Sequence, residues 1–248
     1  MLMSREVVYH DGPLALKGVV WGECVGDNKP GIVVFPDAMG HGEHSMERAH
    51  ALADMGYVAL AADVYGECLQ PRDVARALEL STALRADSTQ WRSRARACLD
   101  ALTTADGVDK QRLGAIGFCF GGSTALELAR SGAPVKAAVC FHGGLETQLP
   151  ARQGFVTSTI LVCSGARDSR VPLTSVPVFL DEMEAAGCEC EVVVYSGVQH
   201  SFTNRATDAL PGMAYSARAD RRSWATMRAF LEDRFRHSVG DSPRRNAD

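Results

Sequence analysis

Three side chains suited to acyl transfer occur in this chain, each directly after a short apolar run: Cys119, Asp168 and His200. Cys119 lies within Gly117-Phe118-Cys119-Phe120-Gly121-Gly122. The run Leu113–Phe118 precedes it, and a helical pattern with Ala125, Leu128 and Ala129 on one face follows. Strand, very tight turn and helix form the context in which a nucleophile is held out at the edge of a parallel sheet. Glycines beside such a turn remove side chains that would clash with its strained backbone. A thiol near neutral pH needs a base or a helix N-terminus to become the reactive thiolate. The helix after Cys119 supplies the N-terminus. His200 would take the thiol's proton and later hand it on, and Asp168 would hold the imidazole tautomer and stabilise its cation. Each residue alone has a plainer reading: a buried junction thiol, a loop histidine, a turn aspartate. Their shared placement after strands, in this order, favours catalysis.

The elements that must position them follow from hydrophobic periodicity. Val7–His10 and Leu14–Trp21, around Asp11-Gly12-Pro13, read as an opening hairpin. Continuous apolar runs at Gly31–Phe35, Tyr57–Ala62, Leu113–Phe118, Val135–Phe141, Thr159–Ser164 and Glu191–Tyr195 read as strands buried on both faces. Between them lie helical patterns: Glu43–Met55 stopped by Gly56, Pro71–Arg85, Thr89–Thr103, a helix through Val176, Phe179, Leu180 and Met183 capped by Ser175, and Ala214–Arg236. In Thr89–Thr103, Trp91, Ala95, Cys98, Leu99 and Leu102 share one face. The alternation predicts an α/β fold with a mainly parallel, doubly wound sheet flanked by helices. Asp37, Cys119, Asp168 and His200 all follow apolar strands, so they fall at the sheet's carboxyl edge, where such folds collect reactive groups. Residues 1–237 read as a single domain with no large lid. Residues 238–248 read as a polar, frayed tail.

The chain has 248 residues and a formal net charge of -4. That length supports a sizeable core without staples. The mild acidity gives no support to nucleic-acid binding, and no apolar stretch is long enough for a membrane span. The N-terminus lacks the apolar core of a signal peptide, so a cytoplasmic protein is expected. The eight cysteines are read as free thiols. Cys188-x-Cys190 has no second ligand pair at zinc spacing, and His41 and His44 lack further ligands, so neither metal nor cofactor is expected. His142, after a strand, reads either as a residue lining the pocket or as a polar loop histidine. A small-molecule substrate and a monomer or homodimer are the expected partners.

With these residues in place, the chain resembles the dienelactone hydrolase (carboxymethylenebutenolidase) family, a Cys-dependent branch of the α/β hydrolases. The resemblance rests on Gly117–Gly122, Gly165-Ala166-Arg167-Asp168 with Val171-Pro172, His200-Ser201-Phe202, and Asp63-Val64-Tyr65-Gly66. It runs from about Gly31 to Leu231. It implies the α/β-hydrolase fold, a Cys119–His200–Asp168 triad, and hydrolysis of a lactone or small carboxylic ester through a Cys thioester. An oxyanion hole would form from the backbone N–H of Phe120, after the nucleophile, and, by the resemblance, that of Ala38. Asp37 falls where the family carries a Glu that takes the thiol's proton as substrate binds. The family also binds a substrate carboxylate with two arginines. Arg72 or Arg76 is the candidate for the first. The second would lie four residues beyond the histidine, where this chain has Asn204 followed by Arg205. Alternatives are a general carboxylesterase or thioesterase on the same triad, or a non-catalytic fold that binds a ligand or senses redox through Cys119.

Overall fold

The computed structural model describes residues 3–207 and 211–236. The predicted tail, 238–248, lies outside the described residues. The strands are β1 (Ser4–Asp11), β2 (Leu14–Trp21), β3 (Lys29–Phe35), β4 (Val58–Ala61), β5 (Val108–Phe118), β6 (Ala137–Phe141), β7 (Thr159–Gly165) and β8 (Cys190–Tyr195). The helices are α1 (Glu43–Asp54), α2 (Val74–Ala86), α3 (Ser88–Leu102), α4 (Phe120–Arg130), α5 (Ser175–Ala186) and α6 (Ala217–Arg236).

All eight strands form one sheet in the order β1-β2-β4-β3-β5-β6-β7-β8. β1 and β2 form the predicted hairpin, and β2 runs antiparallel to β4. From β4 to β8 every pairing is parallel. The central strands are covered on both faces, which is why their apolar runs are continuous rather than alternating. Ile32, Val34, Ile116 and Phe118 pack with α1 and α6 on one face. Val33, Phe35 and Ala115 pack with α3 and α4 on the other. Further along the sheet, Ile160 and Val162 pack with α4 and α5. Every residue of α4 is buried, so the helix after Cys119 is the central pillar of its layer.

The topology decides where the site lies. From β3 the chain moves outward to β4, then crosses back over β3 to β5. The carboxyl ends of β3 and β5 therefore flank a switch point, where an open α/β sheet leaves a crevice. Asp37 and Ala38 follow β3, and Cys119 follows β5. Asp168 and His200 follow the adjacent strands β7 and β8.

Some boundaries differ from the sequence reading. β5 begins at Val108 rather than Leu113, pairing Val108 with Lys29 before a register shift at Pro30/Gly31. Residues 109–112 are polar and half-buried or exposed, so hydrophobicity could not reveal that segment. α2 starts at Val74, because Asp73 accepts the Arg76 N–H at 2.8 Å and caps it there. α6 starts at Ala217 rather than Ala214. Ser175 is the first residue of α5 rather than its cap, and its Oγ donates to the Pro172 carbonyl at 2.7 Å. All eight cysteines are free thiols.

Candidate active site

Cys119 sits between β5 and α4 with φ 53° and ψ -115°. A positive φ is costly for a residue with a Cβ, on the order of 1–3 kcal/mol. Two glycines make it possible. A Cβ at Gly117 would collide with the Gly121 carbonyl, and a Cβ at Gly121 would collide with the carbonyls of Phe35 and Pro36. The second contact also shows how close the elbow lies to the loop after β3. Phe120 and Ala38 are thereby carried by neighbouring backbone segments. Phe120 opens α4, so its N–H has no intrahelical acceptor.

The three residues singled out by order come together. His200 Nε2 lies 3.1 Å from Cys119 Sγ, and His200 Nδ1 donates to Asp168 Oδ2 at 2.7 Å. The other carboxylate oxygen of Asp168 accepts the N–H groups of Arg170 and Val171 at 2.8 and 2.9 Å. Those bonds explain the local sequence: the turn after β7 folds around the carboxylate and leaves one oxygen for the imidazole. Burial opposes a charged His200, but its hydrogen bonds to Asp168 and Cys119 outweigh this and raise its pKa to about 9. The ring is therefore an imidazolium more readily than an ordinary histidine, which is the partner a thiolate needs.

Asp37 does not hydrogen-bond Cys119. Its carboxylate accepts the Met39 N–H at 2.8 Å and Asn204 Nδ2 at 3.0 Å. Burial raises its pKa above the usual carboxylate range. Asp37 thus ties the loop after β3 to the loop after His200, using the Asn204 that stands where an Arg was expected.

The candidate arginines are placed differently. Arg72 is exposed and pairs with Asp73, and Arg76 pairs with Glu79. Arg205 lies over the Tyr215 ring. It also lines a cavity of about 930 Å³ that includes Asp37, His44, Arg48 and Asn204, but neither Cys119 nor His200. The cation beside the elbow is instead Arg85, at the end of α2. Its guanidinium lies 5.2 Å from the ring centroids of both Trp91 and Phe120, and Nη2 donates to Ser123 Oγ at 3.3 Å. Among the described residues no carboxylate pairs with it. Glu127, the acid on this side of α4, is held by Arg92 and Arg130. Burial lowers the Arg85 pKa, and the Cys119 and Tyr65 side chains act on it electrostatically in the opposite sense.

Sequence reasoning also gave no role to Tyr65 and Thr203, and left His142 between a pocket-lining residue and a polar loop histidine. Tyr65 stacks on Phe120 at 5.9 Å and donates its hydroxyl to the Ala38 carbonyl at 3.1 Å. Burial, with the negative charges of Cys119 and Asp37 nearby, holds its hydroxyl protonated. Its loop is organised by buried Asp63, which accepts the N–H groups of Lys17, Tyr65, Gly66 and Cys68. The segment Asp63–Gly66 was the available signal for Tyr65. His142 is buried. Among the described residues no group of three or more His, Cys, Asp or Glu is placed to hold a metal ion, and no helix is long and apolar enough to cross a membrane.

Comparison with known proteins agrees with this architecture. The family described as "Dienelactone hydrolase family" matches residues 18–235. The solved structure named m3DLH is 41% identical, with a TM-score of 0.91, over 94% of this chain and 99% of that one. A dienelactone hydrolase-like promiscuous phosphotriesterase from metagenomic libraries is 40% identical, with a TM-score of 0.88, over the same shares of the two chains. A Caenorhabditis elegans protein, K02A2.1, is 35% identical over 147 residues, 57% of this chain and 92% of its own. With an α/β-hydrolase sheet and a family match over most of its length, this chain belongs to the dienelactone hydrolase family of hydrolases.

Proposed function

We propose that the chain hydrolyses a lactone or small carboxylic ester through a thioester on Cys119. The observation that carries this reading is the continuous hydrogen-bonded line from Asp168 Oδ2 through His200 to Cys119 Sγ, with separations of 2.7 and 3.1 Å. The thiol's proton passes to His200, and the thiolate attacks the carbonyl carbon. The carbonyl π pair moves onto oxygen, where the N–H groups of Phe120 and Ala38 stabilise it. Collapse breaks the carbon–oxygen ester bond, and His200 protonates the leaving oxygen. In a lactone that oxygen stays tethered as a hydroxyl or enol. Water, deprotonated by His200, then attacks the thioester and releases the acid and the thiol. Asp37, engaged by Met39 and Asn204, supports the oxyanion loop in this scheme. The chain is taken as one domain working in the cytoplasm, as a monomer or homodimer, without metal or cofactor. A single continuous sheet supports the one-domain reading, and eight free thiols support the cytoplasmic one.

The test is direct. Rapid mixing with p-nitrophenyl acetate is expected to give a burst of p-nitrophenol and one acyl adduct, mapped by mass spectrometry to Cys119. An adduct elsewhere, or turnover that survives alkylation of Cys119, would remove the thioester from the scheme.

Within this reading, one observation favours an ester bearing an anionic group: Arg85 is a guanidinium beside the elbow that no carboxylate pairs with among the described residues. A buried charge-assisted hydrogen bond contributes about 1.5–3 kcal/mol, which is roughly 10- to 100-fold in rate or affinity. Arg85→Gln is therefore expected to lower kcat/KM for p-nitrophenyl hemisuccinate by about 10-fold or more. The neutral butyrate ester should change by less than about threefold, since it forms no such bond. Equal losses on both esters would assign Arg85 to support of the elbow instead.

A further inference from the structure

His142 is a buried imidazole that the reaction scheme leaves unused. It directly follows β6, the strand between β5 and β7, so its ring stands between the ends that carry Cys119 and Asp168. Its Nδ1 accepts the backbone N–H of Cys119 at 3.1 Å, and its Nε2 lies 2.8 Å from Thr203 Oγ1. An Nδ1 that accepts an N–H carries no proton, so the ring proton is on Nε2 and points to Thr203. Thr203 is the third residue after His200. One neutral ring therefore joins the nucleophile's own amide to the loop that carries its base.

Both ends of this bridge are anchored. The Cys119 N–H also reaches the Phe141 carbonyl at 2.9 Å. The Thr203 carbonyl accepts Arg48 Nη2 at 2.8 Å, and Arg48 is paired with Asp220 at 2.7 Å. The ring meets His200 and Phe202 edge to face, at 5.3 and 5.0 Å. His142 has φ 42°, a left-handed conformation that few residues with a Cβ adopt. The chain thus holds two neighbouring residues of the site, Cys119 and His142, in costly backbone conformations that place them in contact. Burial first, then the nearby His200, lowers the His142 pKa well below the ordinary value. The ring stays neutral, which preserves Nδ1 as an acceptor and leaves His200 free to become the cation.

We propose that His142 is a positioning residue whose bridge from the Cys119 amide to the Thr203 hydroxyl fixes the separation of Cys119 Sγ and His200 Nε2 through turnover. This rests on the Cys119–His200 reading above. A strained elbow and a separate histidine loop have no covalent reason to keep one spacing, and a misplacement of about 1 Å costs on the order of 100-fold in rate.

The experiment measures kcat, KM and melting temperature on p-nitrophenyl acetate for wild type, C119A, H142F, H142N, T203V and the double variants. Phe keeps a ring but loses both bonds. Asn tolerates positive φ and keeps an acceptor near Nδ1. H142F is expected to lower kcat about 100-fold with KM within about threefold. H142N should recover about 10-fold of that loss, because the bond to the Cys119 amide returns. T203V should lower kcat, and should add nothing to H142F. Near-normal kcat in H142F, no recovery in H142N, or additive losses with T203V would each overturn the proposal. If H142F does not fold, the cycle between H142N and T203V decides: non-additive losses support the bridge, and additive ones overturn it. Turnover in C119A would instead refute the underlying nucleophile reading, whatever the His142 variants do.

Discussion

Cys119→Ala is expected to abolish ester hydrolysis, with kcat falling by roughly 10⁵- to 10⁶-fold, the scale of losing a nucleophile from a triad. The argument is geometric. Cys119 Sγ is the atom 3.1 Å from His200 Nε2, at the N-terminus of a fully buried helix. Removing the sulfur leaves His200, Asp168 and the oxyanion donors without a bond-forming atom. Residual rate over water would come only from substrate binding and the backbone amides. Stability should change little, because the side chain points into the site rather than the core, and Ala keeps the Cβ that the strained φ already accommodates. Measured kcat with a melting curve checks both halves. A loss of less than about 100-fold would mean that water, activated by His200, attacks the ester directly.

Asp168→Asn is expected to lower kcat by about 10⁴-fold while leaving the fold in place. Asn can still accept the Arg170 and Val171 N–H groups through its carbonyl oxygen. Its amide would then face His200 Nδ1 with a donor, which reverses the imidazole tautomer and turns a protonated Nε2 toward Cys119 Sγ. The substitution also removes the first of the interactions that raise the His200 pKa to about 9, so His200 should titrate at lower pH. The sign for stability follows. A histidine whose folded pKa is raised stabilises the native state fully below its unfolded pKa of about 6.5, and that contribution disappears as pH rises through about 9. Wild type should therefore lose more stability than D168N between those two pH values. Denaturation across that range, with NMR titration of His200, checks the prediction. Equal pH dependence in the two proteins would show that Asp168 does not govern the ring's charge.

The sequence by itself determined the architecture and the placement of Cys119, Asp168 and His200 at one sheet edge. Both are local: Leu113–Phe118, the glycines at Gly117 and Gly121, and the helix after Cys119 specify an elbow within about twenty residues. Alternating buried strands and helices then oblige Asp168 and His200 to the same sheet edge. The tertiary structure decided which further side chains surround Cys119. Arg72, Arg76 and Arg85 look alike along one helical pattern. Capping by Asp73 leaves Arg72 before the helix, and the turn into α3 lays Arg85 against Trp91 and Phe120. His142 meets an amide 23 residues away and a hydroxyl 61 residues away. Asp37 meets Asn204 across 167 residues. Such pairings depend on strand order and on which loops converge above the β3–β5 crevice. Hydrophobic periodicity carries no record of them, because it reports only which face of each element is buried.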